Sequence, residues 1–215
     1  MFNRENAVGD VGNLGREDDH VRGSEGESGV PTFDAGTSVL VLASGGARDV
    51  DRALLSPERA GSGFLAIGVT SDPGRVVERH HDRHEASPGP CAVIRVGPAA
   101  GHGGPTDATV ERIDEPANLT GLGTTVMRAI EGWEPGWQAW FDSLGPLVHH
   151  AGVGKLCQFT DVFAGRLARE GATTFVRLDP AIHDERTVHR VMGAFDAAVW
   201  DRREETGEDW RVRRR

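Results

Sequence analysis

The chain has 215 residues, 38% of them hydrophobic, enough for one domain with a sizeable core. Its formal net charge is −9, from 33 acidic against 24 basic residues, which argues against nucleic acid as the main partner because phosphate contacts need a basic face. No apolar run reaches the roughly eighteen residues of a membrane span, and Met1–Asp10 lacks the basic and apolar regions of a signal peptide.

Residues 1–34 hold eight acids and three bases and almost no large apolar side chains. Such a segment cannot bury enough surface to offset its ordering entropy, so it is expected to be a disordered acidic tail. Order is expected from about Thr37. Ser38 to Ala43 is a continuous apolar run, the mark of a strand buried on both faces. Ser44-Gly45-Gly46 makes a turn, and Asp49 to Leu55 reads as a short helix. Phe64 to Val69 is a second strand. Asp72-Pro73 then caps and starts a helix that is expected to run to about His84. Cys91 to Val96 is a third strand.

A Gly- and Pro-rich loop fills 97–107, followed by a short extended piece at Thr109–Ile113. Asn118 to Gly132 is a helix whose apolar stripe is Leu122, Val126 and Ile130. Gln138 to Asp142 is the next strand. Val153 to Glu170 is the longest helix, closed by Gly171. Thr173–Leu178 is a strand and Asp184–Phe195 the last helix. From 196 to 215 the alternation of Trp210 and Val212 with Arg211 and Arg213 marks an antiparallel hairpin. Strands alternating with helices predict an α/β domain over 36–215, with a mostly parallel sheet between two helical layers.

Ligands of open α/β sheets bind at the carboxyl ends of strands. Two such ends stand out: the turn Ser44-Gly45-Gly46-Ala47-Arg48 after the first strand, and Asp142-Ser143 after Trp140-Phe141. Other clusters carry less. His80 and His84 share a helical face as a metal pair would, but no third ligand motif accompanies them, so an exposed polar helix end is the expectation. His149-His150 reads as part of a loop. Asp179 and Asp184 read as a turn and a helix cap, and Trp133, Trp137 and Trp140 as packing residues. Gly152-Val153-Gly154-Lys155 lacks the preceding strand of a phosphate-binding loop.

The apolar strand ending in Asp142-Ser143-Leu144, set well after a first strand and Gly turn, resembles the RecA/KaiC-type ATPase core. Gly63–Pro73, the helix opened by Asn118-Leu119-Thr120, and Phe195 through Arg215 follow that family's order of elements. The resemblance covers roughly 36 to 215, by pattern more than by any sharp motif. It implies a RecA-like fold with Asp142 at the position of the Walker B aspartate that coordinates magnesium. Two departures stand against activity. A phosphate-binding loop needs Gly-x-x-x-x-Gly-Lys-Ser/Thr, and the turn with Gly45 and Gly46 has neither the Lys nor the hydroxyl, Arg48 being the cation nearby. Where the family has its catalytic carboxylates this chain reads Thr70-Ser71-Asp72, with Asp72 expected to cap a helix. Phosphoryl transfer rests on positioning and charge neutralisation, so both losses remove most of the rate.

The sequence thus predicts a non-catalytic RecA/KaiC-like regulatory or scaffold protein acting through protein partners or self-association. Gly45, Gly46, Arg48, Asp142 and Ser143 are its vestigial nucleotide site, and no catalytic residue, metal or cofactor is expected. The alternatives are a divergent ATPase using Arg48 and Asp142 with ATP and magnesium, and a nucleic-acid accessory protein using Arg211–Arg215. Lys155 is the only lysine. Excess acid with near-absent lysine resembles the style of halophilic archaeal proteins, since carboxylates hold water and cations in strong salt. Two separated cysteines, Cys91 and Cys157, suit a reducing cytoplasm.

Overall fold

A computed structural model gives the architecture and describes residues 29–44, 50–55, 62–82, 89–98, 108–201 and 210–215. Among these residues eight strands form one sheet: β1 (Ser38–Leu42), β2 (Phe64–Gly68), β3 (Cys91–Val96), β4 (Thr109–Ile113), β5 (Gln138–Phe141), β6 (Thr173–Leu178), β7 (Ala197–Asp201) and β8 (Trp210–Arg214). Their spatial order is β4-β3-β2-β5-β6-β1-β7-β8. All neighbours pair in parallel except β7 and β8, which are antiparallel. The expected α/β sheet with its closing hairpin is the fold observed.

Among the described residues six α-helices flank the sheet: α1 (Val50–Leu54), α2 (Pro73–His81), α3 (Leu119–Ala129), α4 (Gly145–Ala151), α5 (Val153–Arg169) and α6 (Glu185–Met192). The strand residues divide between two cores by the alternation of a pleated strand. Leu40 and Leu42 of β1 join Leu122, Leu147, Leu156, Phe163 and Val191, from α3, α4, α5 and α6. Val39 and Val41 instead join Val50, Leu54, Val76 and Val77, from α1 and α2. Central strands buried on both faces cannot alternate apolar with polar, which is why β1, β2 and β3 read as continuous apolar runs.

The long helix α5 ends as expected. Gly171 takes φ 78°. Its N–H donates to the Ala168 carbonyl at 3.0 Å, and the Ala172 N–H donates to the Leu167 carbonyl at 3.0 Å. That bond pair is a Schellman cap, and its left-handed residue favours glycine.

Four expectations change. The stretch His149-His150, expected as loop, lies in α4, with Pro146 in its first turn. Among the described residues α2 ends at His81, and His84 lies outside them. His80 is buried at 3% exposure and stacks on Phe64 at 4.2 Å, so it belongs to the core and not to an exposed helix end. Residues 1–28 of the expected acidic tail lie outside the described residues, but its last part is packed. Val30 and Phe33 sit against the α1–α2 core, and the Phe33 ring meets Phe175 edge-on at 5.9 Å.

Candidate functional site at the β2–β5 boundary

From β2 the chain moves outward to β3 and β4, then returns to β5 on the other side of β2. The connection after β2 leads to α2 over one face, and that after β5 leads to α4 over the opposite face. Adjacent strands with diverging connections leave a crevice at their carboxyl ends, the place where sheets of this type hold ligands.

Asp142 sits at that crevice, directly after β5. Its side chain is 7% exposed. Oδ2 accepts the Thr70 hydroxyl at 2.8 Å, the Ser71 N–H at 2.9 Å and the Thr70 N–H at 3.3 Å. Oδ1 faces the Arg177 guanidinium at 3.6 Å. The carboxylate therefore ties the loop after β2 to the end of β5 and lies against a cation from β6. The backbone reinforces the same seam: the Asp142 N–H donates to the Ile67 carbonyl at 2.8 Å, and the Leu144 N–H to the Arg177 carbonyl at 2.9 Å.

Ser143 is also buried, and its hydroxyl accepts the Gly145 N–H at 3.3 Å, bracing the start of α4. Asp72 caps α2 as expected, with Oδ1 accepting the Gly74 N–H at 3.0 Å. The same oxygen lies 3.6 Å from Arg95, whose side chain is 7% exposed. Two carboxylate–guanidinium pairs thus stand side by side at the rim, Asp72 with Arg95 and Asp142 with Arg177. Sequence reasoning did not single out either arginine. The available signal was a charge at the next-to-last position of an apolar strand, in CAVIRV and in TTFVRL.

A cleft of about 610 Å³ opens beside Asp142, lined by Thr70, Ser143, His149, Arg177, Asp179 and His183 among others. Asp179 is held in its turn, accepting the Ala181 N–H at 2.9 Å. Asp184 caps α6 by accepting the Thr187 N–H at 2.7 Å, and those bonds hold its carboxyl below its ordinary value. No group of three or more metal-ligating side chains occurs among the described residues. Gly45, Gly46 and Arg48 lie outside the described residues, so of the five expected site residues Asp142 and Ser143 alone are placed at the rim.

The model of a family of unknown function, DUF7504, matches residues 36–200. No curated protein matches the sequence. Among solved structures, a KaiC-like protein from the hyperthermophilic archaeon Pyrococcus horikoshii OT3 is similar, with TM-score 0.51 and 11% identity over 85% of this chain and 80% of that one. A structural-project protein from the same organism has TM-score 0.50 and 13% identity, over 78% of this chain and 83% of that one. The fold is of the RecA/KaiC-like kind.

Proposed function

We propose that this chain, which belongs to the family of unknown function DUF7504, is a non-catalytic RecA/KaiC-like module with a regulatory or scaffolding role. The observation that carries the reading is the commitment of Asp142. An aspartate that binds magnesium through its carboxylate needs an oxygen open to the ion and its waters. Here Oδ2 accepts three donors and Oδ1 faces Arg177, with the side chain nearly sealed from solvent. A cation at this place would have to break those bonds and sit beside a guanidinium, which like charges oppose. The sequence adds its own support: residues 45–49, Gly-Gly-Ala-Arg-Asp, carry neither the lysine nor the following Ser or Thr that phosphate and magnesium require.

The retained frame then serves as a shaped surface, with other protein chains or further copies of this one as its partners. The acid-rich, lysine-poor composition fits a protein built for strong salt in a halophilic cytoplasm. The test is steady-state ATP hydrolysis in multimolar KCl by the full chain and by Asp142→Ala. Equal background rates support the module. Turnover that Asp142→Ala abolishes, with the variant still folded by circular dichroism, contradicts it.

A further inference from the structure

Among the described residues the sheet ends on β4 at one side and on β8 at the other, with no strand beyond either. A strand at a sheet edge presents unpaired main-chain groups and is a template for another chain. Each of these edges also carries an exposed valine. Val110 of β4 is 47% exposed and Val212 of β8 is 36% exposed, two of the four large apolar side chains exposed among the described residues.

The two valines lie on one face of the sheet. Ile113 packs in the core beneath α3 to α6, so alternation puts Val110 and Arg112 on the α1–α2 side. Val212 pairs with Val199, which belongs to the α1–α2 core. Glu111 lies on the other face, where Arg128 of α3 donates to it at 2.9 Å. Arg211 is on that face too. It pairs with Trp200, which packs against the core of α3 to α6, and its guanidinium lies over the Trp200 ring at 5.5 Å.

Strand direction agrees as well. β4 runs parallel to β3, and β8 runs against β7. A second copy set beside the first in the same orientation therefore brings its β8 antiparallel to β4, with matching faces. Setting Val110 opposite Val212 of the second copy then sets Glu111 opposite Arg211 and Arg112 opposite Trp210. An apolar pair, an ion pair and a cation–ring pair thus fall in one register. Pairing β8 with another β8 about Val212 would instead oppose Arg211 to Arg213, and like charges disfavour that join.

We propose that β4 of one copy pairs with β8 of the next, so that copies of this chain extend a single sheet head to tail. The proposal names a partner for the scaffold, and rests on that reading for its purpose. Ions do not screen main-chain hydrogen bonds or apolar contact, so the join holds in strong salt, where distant charges no longer count. Five-residue strands bury a small area, in the weak class below about 1,200 Å², so assembly depends on protein concentration. The two surfaces differ, which makes the contact heterologous and leaves a free edge at each end of a dimer.

Sedimentation velocity in multimolar KCl tests this on the full chain, on Val110→Asp and on Val212→Asp. Each aspartate sets a carboxylate against a valine, a desolvation cost that salt does not remove. The unaltered chain should gain mass beyond a dimer as its concentration rises. Each variant alone, folded by circular dichroism, should stay a monomer. An equimolar mixture of the two should double in mass, because one supplies a sound β8 and the other a sound β4. A full chain that is monomeric at every concentration overturns the proposal. So does a variant that self-associates as the full chain does, or a mixture that stays monomeric. A second readout needs no substitution: amide exchange in β4 and β8 of the full chain should slow several-fold as concentration rises, and exchange that ignores concentration overturns the join. No step involves nucleotide, so failure here leaves the Asp142 reading standing, and ATP turnover lost in Asp142→Ala would leave the join standing.

Discussion

The Thr70 hydroxyl donates to Asp142 Oδ2 at 2.8 Å, joining the loop after β2 to the end of β5 across the one boundary where the chain reverses direction in the sheet. Asp142→Ala removes that acceptor and leaves the Thr70 and Ser71 N–H groups without it. Hydrogen bonds to a charged group contribute about 1.5–3 kcal/mol, and stranded buried donors add to the loss. Asp142→Ala should lower unfolding free energy by about 3 kcal/mol, read by urea denaturation. Thr70→Val removes one donor of three and should cost about 1 kcal/mol. A site kept for a ligand would show the opposite, since replacing a carboxylate held ready for a cation often stabilises the empty protein.

Glycines provide a sharper contrast. Gly171 and Gly132 take φ 78° and 79°. A Cβ at Gly171 would meet Pro135 Cβ at 2.5 Å, whereas one at Gly132 would meet nothing within 4 Å. Gly132→Ala should cost only the left-handed penalty, about 1 kcal/mol. Gly171→Ala adds a clash with the loop that leads into β5 and should cost about 3 kcal/mol. Thermal unfolding of the two variants checks the difference.

The sheet could be read from the sequence because buried strands advertise themselves. β1, β2 and β3 are apolar at nearly every position, and Gly171 marks the end of α5 without ambiguity. The site was harder. Asp142 stood out by its place after a strand, but its partners Thr70 and Ser71 are separated from it by 72 and 71 positions, and nothing local announces the bond. Arg95 and Arg177 hid inside apolar strands. Phe33 looked like part of a polar tail, because an aromatic set apart from other apolar residues gives no period. His80 looked exposed because its neighbours are charged, whereas the helix turns it inward onto Phe64.

The first turn of α6 should respond to acid. Bonds from Thr187 hold Asp184 below its ordinary value, so the folded state favours its ionised form. A depressed carboxyl contributes stability above its unfolded value and loses it as pH falls through the folded one. Protection of the Thr187 amide should therefore decline below the ordinary aspartate range. Asp184→Asn should keep a cap at neutral pH and lose the acid dependence, as followed by amide exchange.

Burial raises the Cys157 thiol above its usual value, against a smaller opposing pull from Arg190. Because the thiolate is the nucleophile, iodoacetamide should modify Cys157 more slowly at pH 8 than it modifies a free cysteine. Arg190→Gln should slow it further. A rate equal to that of free cysteine would contradict the burial.

The most direct measurement is calorimetric titration of ATP with magnesium into the full chain in multimolar KCl, with Asp142→Ala as the control. The account predicts no saturable heat in either protein. Binding tighter than about 1 mM, worth roughly 4 kcal/mol, and lost in Asp142→Ala would contradict it, because the carboxylate would then be holding a nucleotide's metal and not its own loop.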